Sequence, residues 1–406
     1  MSADAVAVTG LGMVTAGGHD ALSTWERVLA GSPTASYDAQ LQGLPVTFSC
    51  RAEAFSPKQV LGNNYTWRMD RFIQLALAAA REAAAHAGLE RGTVDPVRLG
   101  VVIGASGGTA ASGAAWRKLF ENRPQGISPT TIPGGSANMA AGEVSLDLGA
   151  QGPGFCVSTA CASGSSAISL ARDLLRSHTC DVVVAGGSDS ACSPLAAASF
   201  DKLRALSRRN QAPEEASRPF DADRDGFVLA EGAAVLVLER SEHARARRAP
   251  IHAYLTGGAL GCDAHHSTAP TPDGSGAART INAALASAGM GARDIDHVNT
   301  HGSATELNDL SEARALHTVF GSPPPVTANK SVLGHSIAGA GAIEAALTVL
   351  TLQHQQIPPT ANLDRIDDRI DLDVVTKVAR PQRMQTALST SFGFGGQNAA
   401  LIFTSA

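Results

Sequence analysis

The amino-acid sequence predicts an α/β protein with layered sheets, because short apolar runs alternate with alanine-rich helical stretches along the chain. Apolar runs bounded by glycine or turn residues are typical of strands that are buried on both faces. They occupy residues 6–9, 101–103, 155–159, 182–185 and 235–238. The helical stretches cover residues 70–87, 163–176 and 338–353. This alternation is the pattern of an α/β fold.

A boundary between two halves is predicted near residue 250. Residues 239–248 are highly charged and are followed by Ala-Pro, after which residues 251–255 begin a new strand. We therefore expect an N-terminal half over residues 1–250 and a C-terminal half over residues 251–406. A weak internal repeat favours duplication, although three matches among small residues could also arise by chance. The repeat comprises Gly164, Ala167 and Ile168, matched 175 positions later by Gly339, Ala342 and Ile343.

Composition narrows the class of protein. Among 406 residues 17% are charged, and the formal net charge is −5. These values exclude a disordered or fibrous chain and argue against a general nucleic-acid binder. The best candidate for a membrane span, at residues 337–352, is short and contains Glu344, so no membrane-spanning helix is expected. The start of the chain lacks the basic segment of a secretory signal.

The cysteines and acidic loops do not predict a metal site. The six cysteines form no C-x-x-C pair, and no His/Cys cluster has zinc spacing. Residues 221–226 begin like a calcium-binding loop, but its twelfth position is Gly232. We therefore expect reduced thiols, no metal ion and a cytoplasmic location.

Cys161 is a candidate nucleophile. It lies in a turn of small residues between a predicted strand and the helical stretch at 163–176. At a helix N-terminus the macrodipole and the free N–H groups favour thiolate over thiol, and small neighbours would let a substrate reach the sulfur. The alternative is a small buried hydrophobic residue, which is how we interpret the other five cysteines.

Two further loops contain histidine. His301 stands at the tip of a glycine-containing loop after a predicted strand, where open α/β folds place their sites. Lys330 and His335 precede a helix of small residues. The chain has five lysines, so one in an apolar, glycine-rich segment calls for an explanation. Each loop alone is a weak signal, because most histidines are structural.

A glycine-rich segment lies near the C-terminus, at residues 391–398, with the sequence SFGFGGQN. Glycine permits close backbone approach and positive φ, so the backbone N–H groups of this segment could face a ligand. In isolation a tight β-turn explains it equally well.

Together these motifs resemble one family. TACASG around Cys161, THGSAT around His301, NKSVLGHSIAGAGAIE around Lys330 and His335, and SFGFGGQN are similar to motifs of the β-ketoacyl-acyl-carrier-protein synthases. The resemblance is to the Cys-His-His elongating branch, which includes KAS II-like and type II polyketide ketosynthases. It covers essentially the whole chain, since VTGLGMVT, VAGGSDS, SRPFDADRDGFVLAEGA and QIPPTANLD also match.

The resemblance implies a thiolase-like five-layer αβαβα fold with two duplicated halves, in which Cys161 and His335 begin equivalent central helices. It also implies a dimer, and we expect the dimer to be the obligate unit. Cys161 would accept an acyl chain from a carrier-protein thioester. The backbone N–H groups of Cys161 and Phe394 would form the oxyanion hole.

The other expected catalytic groups act on the second substrate. When malonyl-acyl-carrier protein loses CO2, His301 and His335 would donate hydrogen bonds to the enolate. Lys330 and Glu344 would form an ion pair that orients the histidines. No cofactor is expected, because the family's substrates are carried on the phosphopantetheine arm of acyl carrier protein.

The resemblance also implies substrate-binding and docking residues. The expected contacts to the phosphopantetheine arm are Ser303, where the family usually has Thr, and Thr305. Phe200 and Phe394 would gate the acyl pocket. Independently of the resemblance, the small size of residues 104–108, which include Ser106, predicts that they widen this pocket. Acyl carrier protein would dock on Arg68 and Arg204, for which plain solvation is an equal alternative.

Several alternatives stay open or are disfavoured. A degradative thiolase has a second catalytic cysteine in its C-terminal half, whereas the last cysteine here is Cys262. Initiating synthases have asparagine where this chain has His335. A chain-length-factor-like partner subunit would lack the nucleophile, and Cys161 is present. Residues 104–115 and 305–309 look slightly closer to polyketide than to fatty-acid synthases. The partner, a second copy or a chain-length factor, is not determined.

Overall fold

The description covers residues 5–62, 66–108 and 110–406 of a computed structural model. Residues 1–4, at the start of the predicted N-terminal half, and Thr109, within the small-residue run at 104–115, lie outside the described residues.

Strands occur in both halves of the chain. The larger strands and their shorter partners are β1 Val6–Thr15, β2 Ser36–Tyr37, β3 Phe48–Ser49, β4 Leu99–Gly104, β5 Gly154–Val157, β6 Val182–Ser190, β7 Glu231–Arg240, β8 Ala253–Cys262, β9 His297–Asn299, β10 Val326–Thr327, β11 Gln356–Ile357, β12 Arg380–Pro381, β13 Thr386–Gly393 and β14 Gln397–Ser405.

Helices alternate with these strands. They are α1 Ala21–Leu29, α2 Pro57–Leu61, α3 Arg71–His86, α4 Ala110–Phe120, α5 Thr131–Gly135, α6 Asn138–Leu148, α7 Ser163–Arg176, α8 Pro194–Lys202, α9 Ser241–Ala246, α10 Ser275–Ala288, α11 Glu306–Phe320, α12 Lys330–Leu333 and α13 Ala340–His354. Short 3₁₀ turns include Ile337–Gly339 and Phe394–Gly396.

The same strand order occurs twice. Within the described residues, ten strands form one sheet in the order β10-β9-β13-β14-β8-β1-β7-β6-β4-β5. Counted outward from the β1–β8 junction, the N-terminal strands run 1-7-6-4-5 and the C-terminal strands run 8-14-13-9-10. Corresponding neighbours have the same parallel or antiparallel sense. The two halves are therefore duplicates in topology, as expected.

The helices complete five layers. Helix α3 covers the outer face of the N-terminal strands, and α10, with α11 against it, covers that of the C-terminal strands. Helices α7 and α13 contact strands of both halves and each other, so they form the central layer. They approach closely, since a Cβ added to Gly164 would lie 2.6 Å from the backbone nitrogen of Ala342. The predicted five-layer fold is confirmed.

Most predicted elements are present, with two differences. The predicted helix at 163–176 matches α7, whereas the last predicted helix begins at Ala340, after the 3₁₀ turn. The strand predicted at 155–159 is present, but the prediction that it is buried on both faces is wrong. It is β5, an edge strand with one neighbour, and Phe155 is 48% exposed. In the described part of the chain no helix is long and apolar enough to cross a membrane.

Candidate active site

Eight of the predicted site residues line one cavity, with a volume of about 380 Å³, and four of these belong to the expected catalytic and oxyanion-hole groups. Cys161 reaches it from the turn before α7, His301 from the loop after β9, His335 from the turn before α13, and Phe394 from the turn between β13 and β14. The cavity thus lies where both halves of the chain meet, at the starts of the two central helices.

The backbone around Cys161 makes a sharp turn. Ala160 has φ +49°, a left-handed conformation that costs energy for a residue with a Cβ. The Ser163 side chain stabilises the turn, because its Oγ donates to Ala160 O at 2.6 Å and accepts from Thr159 N–H at 2.9 Å. Helix α7 begins at Ser163, so Cys161 stands just before its first turn.

The Cys161 thiol is buried, with 8% of the residue exposed. Burial raises its pKa to about 11, although the positive charge of Lys330 and the backbone N–H groups of Phe394 and Cys161 act in the opposite direction. The sequence-based expectation of a lowered pKa is therefore wrong for the free protein, because lost hydration outweighs the nearby positive groups. The other five cysteines are also free, so all six are thiols as expected. The interpretation of these five as small buried residues is wrong for exposed Cys262 and half-buried Cys156.

Gly393 brings the Phe394 N–H group to the Cys161 turn. A Cβ on Gly393 would lie 2.6 Å from Thr159 O and 3.0 Å from Cys161 N. The two backbone segments can come this close because glycine has no side chain. The backbone N–H groups of Cys161 and Phe394 consequently act on the same sulfur.

His301 is held by two side chains, those of Glu312 and Lys330, around its backbone and ring. The backbone N–H of His301 donates to Glu312 Oε1 at 2.8 Å, and Lys330 Nζ donates to the backbone carbonyl oxygen of His301 at 2.6 Å. Lys330 Nζ also lies 3.3 Å from His301 Nδ1. Because an ammonium group has no acceptor, Nδ1 accepts and the ring proton lies on Nε2. Burial and the charge of Lys330 hold the pKa of His301 well below its usual range, so the ring is neutral.

His335 is also a buried, neutral imidazole. Its backbone N–H donates to Val228 O at 2.8 Å, and its backbone carbonyl accepts from Ala230 N–H at 3.0 Å. The backbone of His335 is therefore held as in a short parallel β-bridge. Its ring meets those of Phe227 and His301 edge-on, with centroid distances of 5.1 and 5.4 Å. Burial and Lys330 lower its pKa well below the usual value.

The predicted ion pair between Lys330 and Glu344 is present and almost fully buried, with side chains 3% and 2% exposed. Burial raises the pKa of Glu344 to about 7, while Lys330 acts in the opposite direction. Lys330 therefore connects Glu344 on α13 with the ring and backbone of His301, which fits the expected orienting role.

Glu312 is a site residue that the sequence analysis missed. Its two carboxylate oxygens accept the N–H groups of His301 and Gly302, both at 2.8 Å. Burial raises its pKa to about 7. On α11, Asp309, Glu312 and Leu316 share one buried face. Two acids one turn apart on the buried side of a helix, directly after the His301 loop, were a signal that could have identified it.

The expected substrate-binding residues are only partly at the cavity. Ser303 and Thr305 line it, with their hydroxyl oxygens 3.0 Å apart, and so does Phe200, whose ring lies 6.1 Å from that of Phe394. Ser106 is not among the lining residues, in contrast to the expectation. Its hydroxyl instead hydrogen-bonds to buried Asp189, whose pKa is raised to about 6 by burial.

The two expected docking arginines differ in environment. Arg204 is exposed at the cavity rim, and its side chain makes no hydrogen bond or ion pair with the described residues. Arg68 does not line this cavity, and its guanidinium binds both carboxylate oxygens of Glu143 at 3.1 and 3.2 Å. The charge of Arg68 is thus already paired within the chain.

Comparisons with known proteins agree with this geometry. Family models described as the β-ketoacyl synthase N-terminal and C-terminal domains match residues 3–244 and 252–364. The chain is 38% identical to 3-oxoacyl-[acyl-carrier-protein] synthase 2 of Vibrio cholerae serotype O1, over 99% of both chains.

Two solved structures share the whole fold. The ishigamide ketosynthase/chain length factor has a TM-score of 0.93 at 32% identity, with 99% of both chains covered. The second structure is a type II polyketide synthase acyl-carrier protein in complex with its ketosynthase, bound to the hexaketide. Its TM-score is 0.89 at 30% identity, again with 99% of both chains covered. The chain therefore belongs to the β-ketoacyl synthase family, and it is a ketosynthase-type acyltransferase with the thiolase-like fold.

Proposed function

We propose that this chain is the catalytic subunit of a β-ketoacyl-acyl-carrier-protein synthase. It condenses malonyl-acyl-carrier protein with an acyl chain carried on Cys161, in fatty-acid or type II polyketide elongation. One observation carries the proposal: a buried thiol, two neutral imidazoles and the Phe394 N–H group line a single cavity. No cofactor takes part in either step.

The first step transfers the acyl chain. The thiol of Cys161 gives up its proton, and His335 is the imidazole base for it, because Nδ1 of His301 already accepts from Lys330 and its Nε2 carries the ring proton. The thiolate attacks the carbonyl carbon of the acyl thioester, and the bond from that carbon to the pantetheine sulfur breaks. The N–H groups of Cys161 and Phe394 stabilise the oxyanion. The pantetheine sulfur leaves with a proton, and the acyl group stays on Cys161.

The second step forms the carbon–carbon bond. Malonyl-acyl-carrier protein loses CO2, and the electron pair of the broken bond becomes an enolate. The Nε2–H of His301 donates to the enolate oxygen, and His335 is the second donor. The enolate carbon then attacks the acyl-Cys161 carbonyl, the thioester to Cys161 breaks, and the β-ketoacyl product is two carbons longer. Neutral imidazoles suit this role because they donate a hydrogen bond but, unlike imidazolium, are too weakly acidic to transfer their proton to the enolate.

Ser303 and Thr305 bind the phosphopantetheine arm, since their hydroxyl groups line the cavity that leads to Cys161. Phe200 and Phe394 stand between this arm and the acyl chain. We retain residue 250 as the boundary between the halves, because β7, α9 and the charged segment precede it and β8 follows it.

A non-catalytic chain-length-factor-like subunit is the second candidate. The presence of Cys161 and both histidines argues against it. The similar ishigamide structure is a ketosynthase with a chain length factor, so such a factor is one partner we propose for this chain, and a second copy is the other. A housekeeping fatty-acid elongating ketosynthase that works as a homodimer is the other alternative, since the relatives include a 3-oxoacyl-[acyl-carrier-protein] synthase 2.

The deciding experiment is intact-protein mass spectrometry after incubation with a panel of acyl-acyl-carrier proteins. The wild type should gain one acyl group, Cys161→Ala should gain none, and Cys262→Ala, which removes an exposed thiol, should behave as the wild type. An adduct that forms only after a homologous subunit is added indicates a heterodimer. If neither condition gives an adduct, the catalytic proposal is wrong and the partner-subunit function takes its place.

Arg204 is the proposed docking contact for the acidic carrier protein, whereas the pairing of Arg68 with Glu143 weakens the case for Arg68. Arg204→Glu should raise KM for acyl-acyl-carrier protein by about tenfold at low salt, with kcat nearly unchanged, because rim charges act mainly on association. The difference should shrink at high ionic strength. Lys58→Glu makes the same charge change at an exposed residue outside the cavity lining and should leave KM unaltered. Equal effects of both variants would exclude a local contact.

Gly393→Ala tests the oxyanion hole. The new Cβ would collide with Thr159 O and Cys161 N, which are backbone atoms, so the Phe394 N–H must move. The rate of Cys161 acylation should fall about 100-fold, the effect of losing one such donor. Gly113→Ala is the control, because a Cβ there meets nothing within 4 Å. Single-turnover acylation within threefold of the wild type would contradict the assignment.

A further inference from the structure

A small internal cavity lies behind the Lys330–Glu344 pair. It has about 10 Å³ of room for the centre of a water-sized molecule. Its polar lining comes from β1, β7, the α12 region and α13, and consists of Thr15, Glu231, Asn329, Lys330, Ser336 and Glu344. A space of this size admits about one water molecule when polar partners surround it.

Three polar atoms of this lining have no hydrogen-bond partner among the described residues: Asn329 Nδ2, Asn329 Oδ1 and Glu344 Oε2. Asn329 is 1% exposed and Glu344 is 2% exposed, so bulk water does not reach these atoms. Buried polar side-chain atoms are almost always hydrogen-bonded, to protein or to ordered water. Their common position at one cavity therefore points to a ligand that both donates and accepts.

Water has the chemistry these atoms require. One molecule can accept from Asn329 Nδ2 while donating to Asn329 Oδ1 and to Glu344 Oε2. A metal cation could not accept from the amide N–H, and it would lie beside the ammonium of Lys330, which lines the same cavity. The geometry thus favours a neutral molecule.

We propose that this cavity binds one structural water molecule, through which Asn329 acts as a positioning residue for the Lys330–Glu344 pair. The inference rests on the proposed function where it concerns the reaction. Lys330 contacts both the ring Nδ1 and the carbonyl of His301. Asn329 thereby acts on the enolate donor without touching the substrate.

The charges around Glu344 give this role a pH signature. Lys330 of α12 favours the ionised carboxylate, whereas Glu312 of α11 and burial oppose it. Glu231 of β7 lines the same cavity, and its carboxylate is paired with Arg71. A water that donates to Oε2 favours the charged form as well. Without it the pKa of Glu344 rises, so a higher pH is needed to form the ion pair.

The direct test is a crystal structure of the wild-type protein at a resolution that shows ordered water. We expect one water molecule within hydrogen-bond distance of the Asn329 side-chain amide and of Glu344 Oε2. Electron density without a water peak in the cavity, or a metal ion coordinated there, would overturn the proposal. This result does not depend on catalytic activity, so it separates the water site from the proposed function.

The functional test compares Asn329→Leu with Asn329→Ser, which keeps a polar group and room for water. Decarboxylation of malonyl-acyl-carrier protein is measured against pH. Asn329→Leu should shift the acid limb upward by about one pH unit, which is about tenfold in rate below it. Asn329→Ser should stay near the wild type. Thr351→Val, which removes an unpartnered buried hydroxyl on the same helix but outside the cavity, is the control.

Acylation of Cys161 in the same variants distinguishes positioning from general damage. It should be unchanged in Asn329→Leu, since the first step does not need His301 as an enolate donor. Equal loss of acylation and decarboxylation, or an unshifted pH profile in a folded Asn329→Leu protein, would show that Asn329 has only a structural role. Absence of acylation in the wild type would instead refute the proposed function and leave the crystallographic test standing.

Discussion

His301→Ala is expected to lower the rate of malonyl-acyl-carrier protein decarboxylation by about 100- to 1000-fold, the effect of removing one preorganised donor to a developing oxyanion. The reason is the direction of the ring proton. Lys330 Nζ occupies the Nδ1 side at 3.3 Å, so Nε2–H is the group that can donate to the enolate. Acylation of Cys161 should proceed at close to the wild-type rate, because its oxyanion is stabilised by backbone N–H groups.

The measurement is release of CO2 from malonyl-acyl-carrier protein, with acylation followed separately by intact mass. His301→Gln should retain part of the activity, since its side-chain amide can also donate. His19→Ala, at a residue whose side chain is 60% exposed, is the control. Decarboxylation within about threefold of the wild type in His301→Ala would remove His301 from the mechanism.

Lys330→Met is expected to destabilise the protein by about 1–2 kcal/mol at pH 8, one pH unit above the pKa of Glu344, and to approach about 3–5 kcal/mol at higher pH, because it leaves the Glu344 carboxylate buried without its partner. The half-buried pair of Arg81 and Asp147, with side chains 39% and 24% exposed, provides the more solvated control, and Arg81→Met should cost at most about 1 kcal/mol. Urea unfolding at constant pH measures both free energies.

The pH dependence of this loss has a definite sign. The pKa of Glu344 is already raised from 4.5 to about 7 by burial, and removal of Lys330 raises it further. A carboxyl group whose pKa is raised on folding contributes less stability as the pH rises through its folded value. The deficit of Lys330→Met relative to the wild type should therefore be small below pH 7 and grow above it. A deficit that is constant from pH 5 to pH 9 would contradict the pairing.

Combining Lys330→Met with Glu344→Gln should restore most of the stability, since no buried charge is left without a partner. Decarboxylation should stay low in the double variant, because the Nδ1 atom and the carbonyl of His301 still lack the Lys330 ammonium. Recovery of both properties together would mean that the ion pair contributes only to folding.

Much of the site was predictable from local sequence. The strand-to-helix turn at Cys161, the histidine loops and the terminal glycines are contiguous motifs, and α7 has the bounds that its apolar pattern predicts. Glu312 and Asn329 were missed because their importance comes from contacts with residues far along the chain. Ser106 was expected at the acyl pocket because it lies in a run of small residues, whereas its contact with Asp189 involves a residue more than 80 positions away.

By itself the sequence determined the fold class, the family resemblance and which side chains are available for chemistry, because motifs and periodicity are local properties. Only the tertiary structure decided the protonation states of these side chains and whether their charges are already paired within the chain. Burial keeps the Cys161 thiol protonated and both imidazoles neutral. Glu143 pairs with Arg68, whereas the side chain of Arg204 stays exposed. These properties depend on hydration and on distances between residues remote in sequence, which only the packed chain defines.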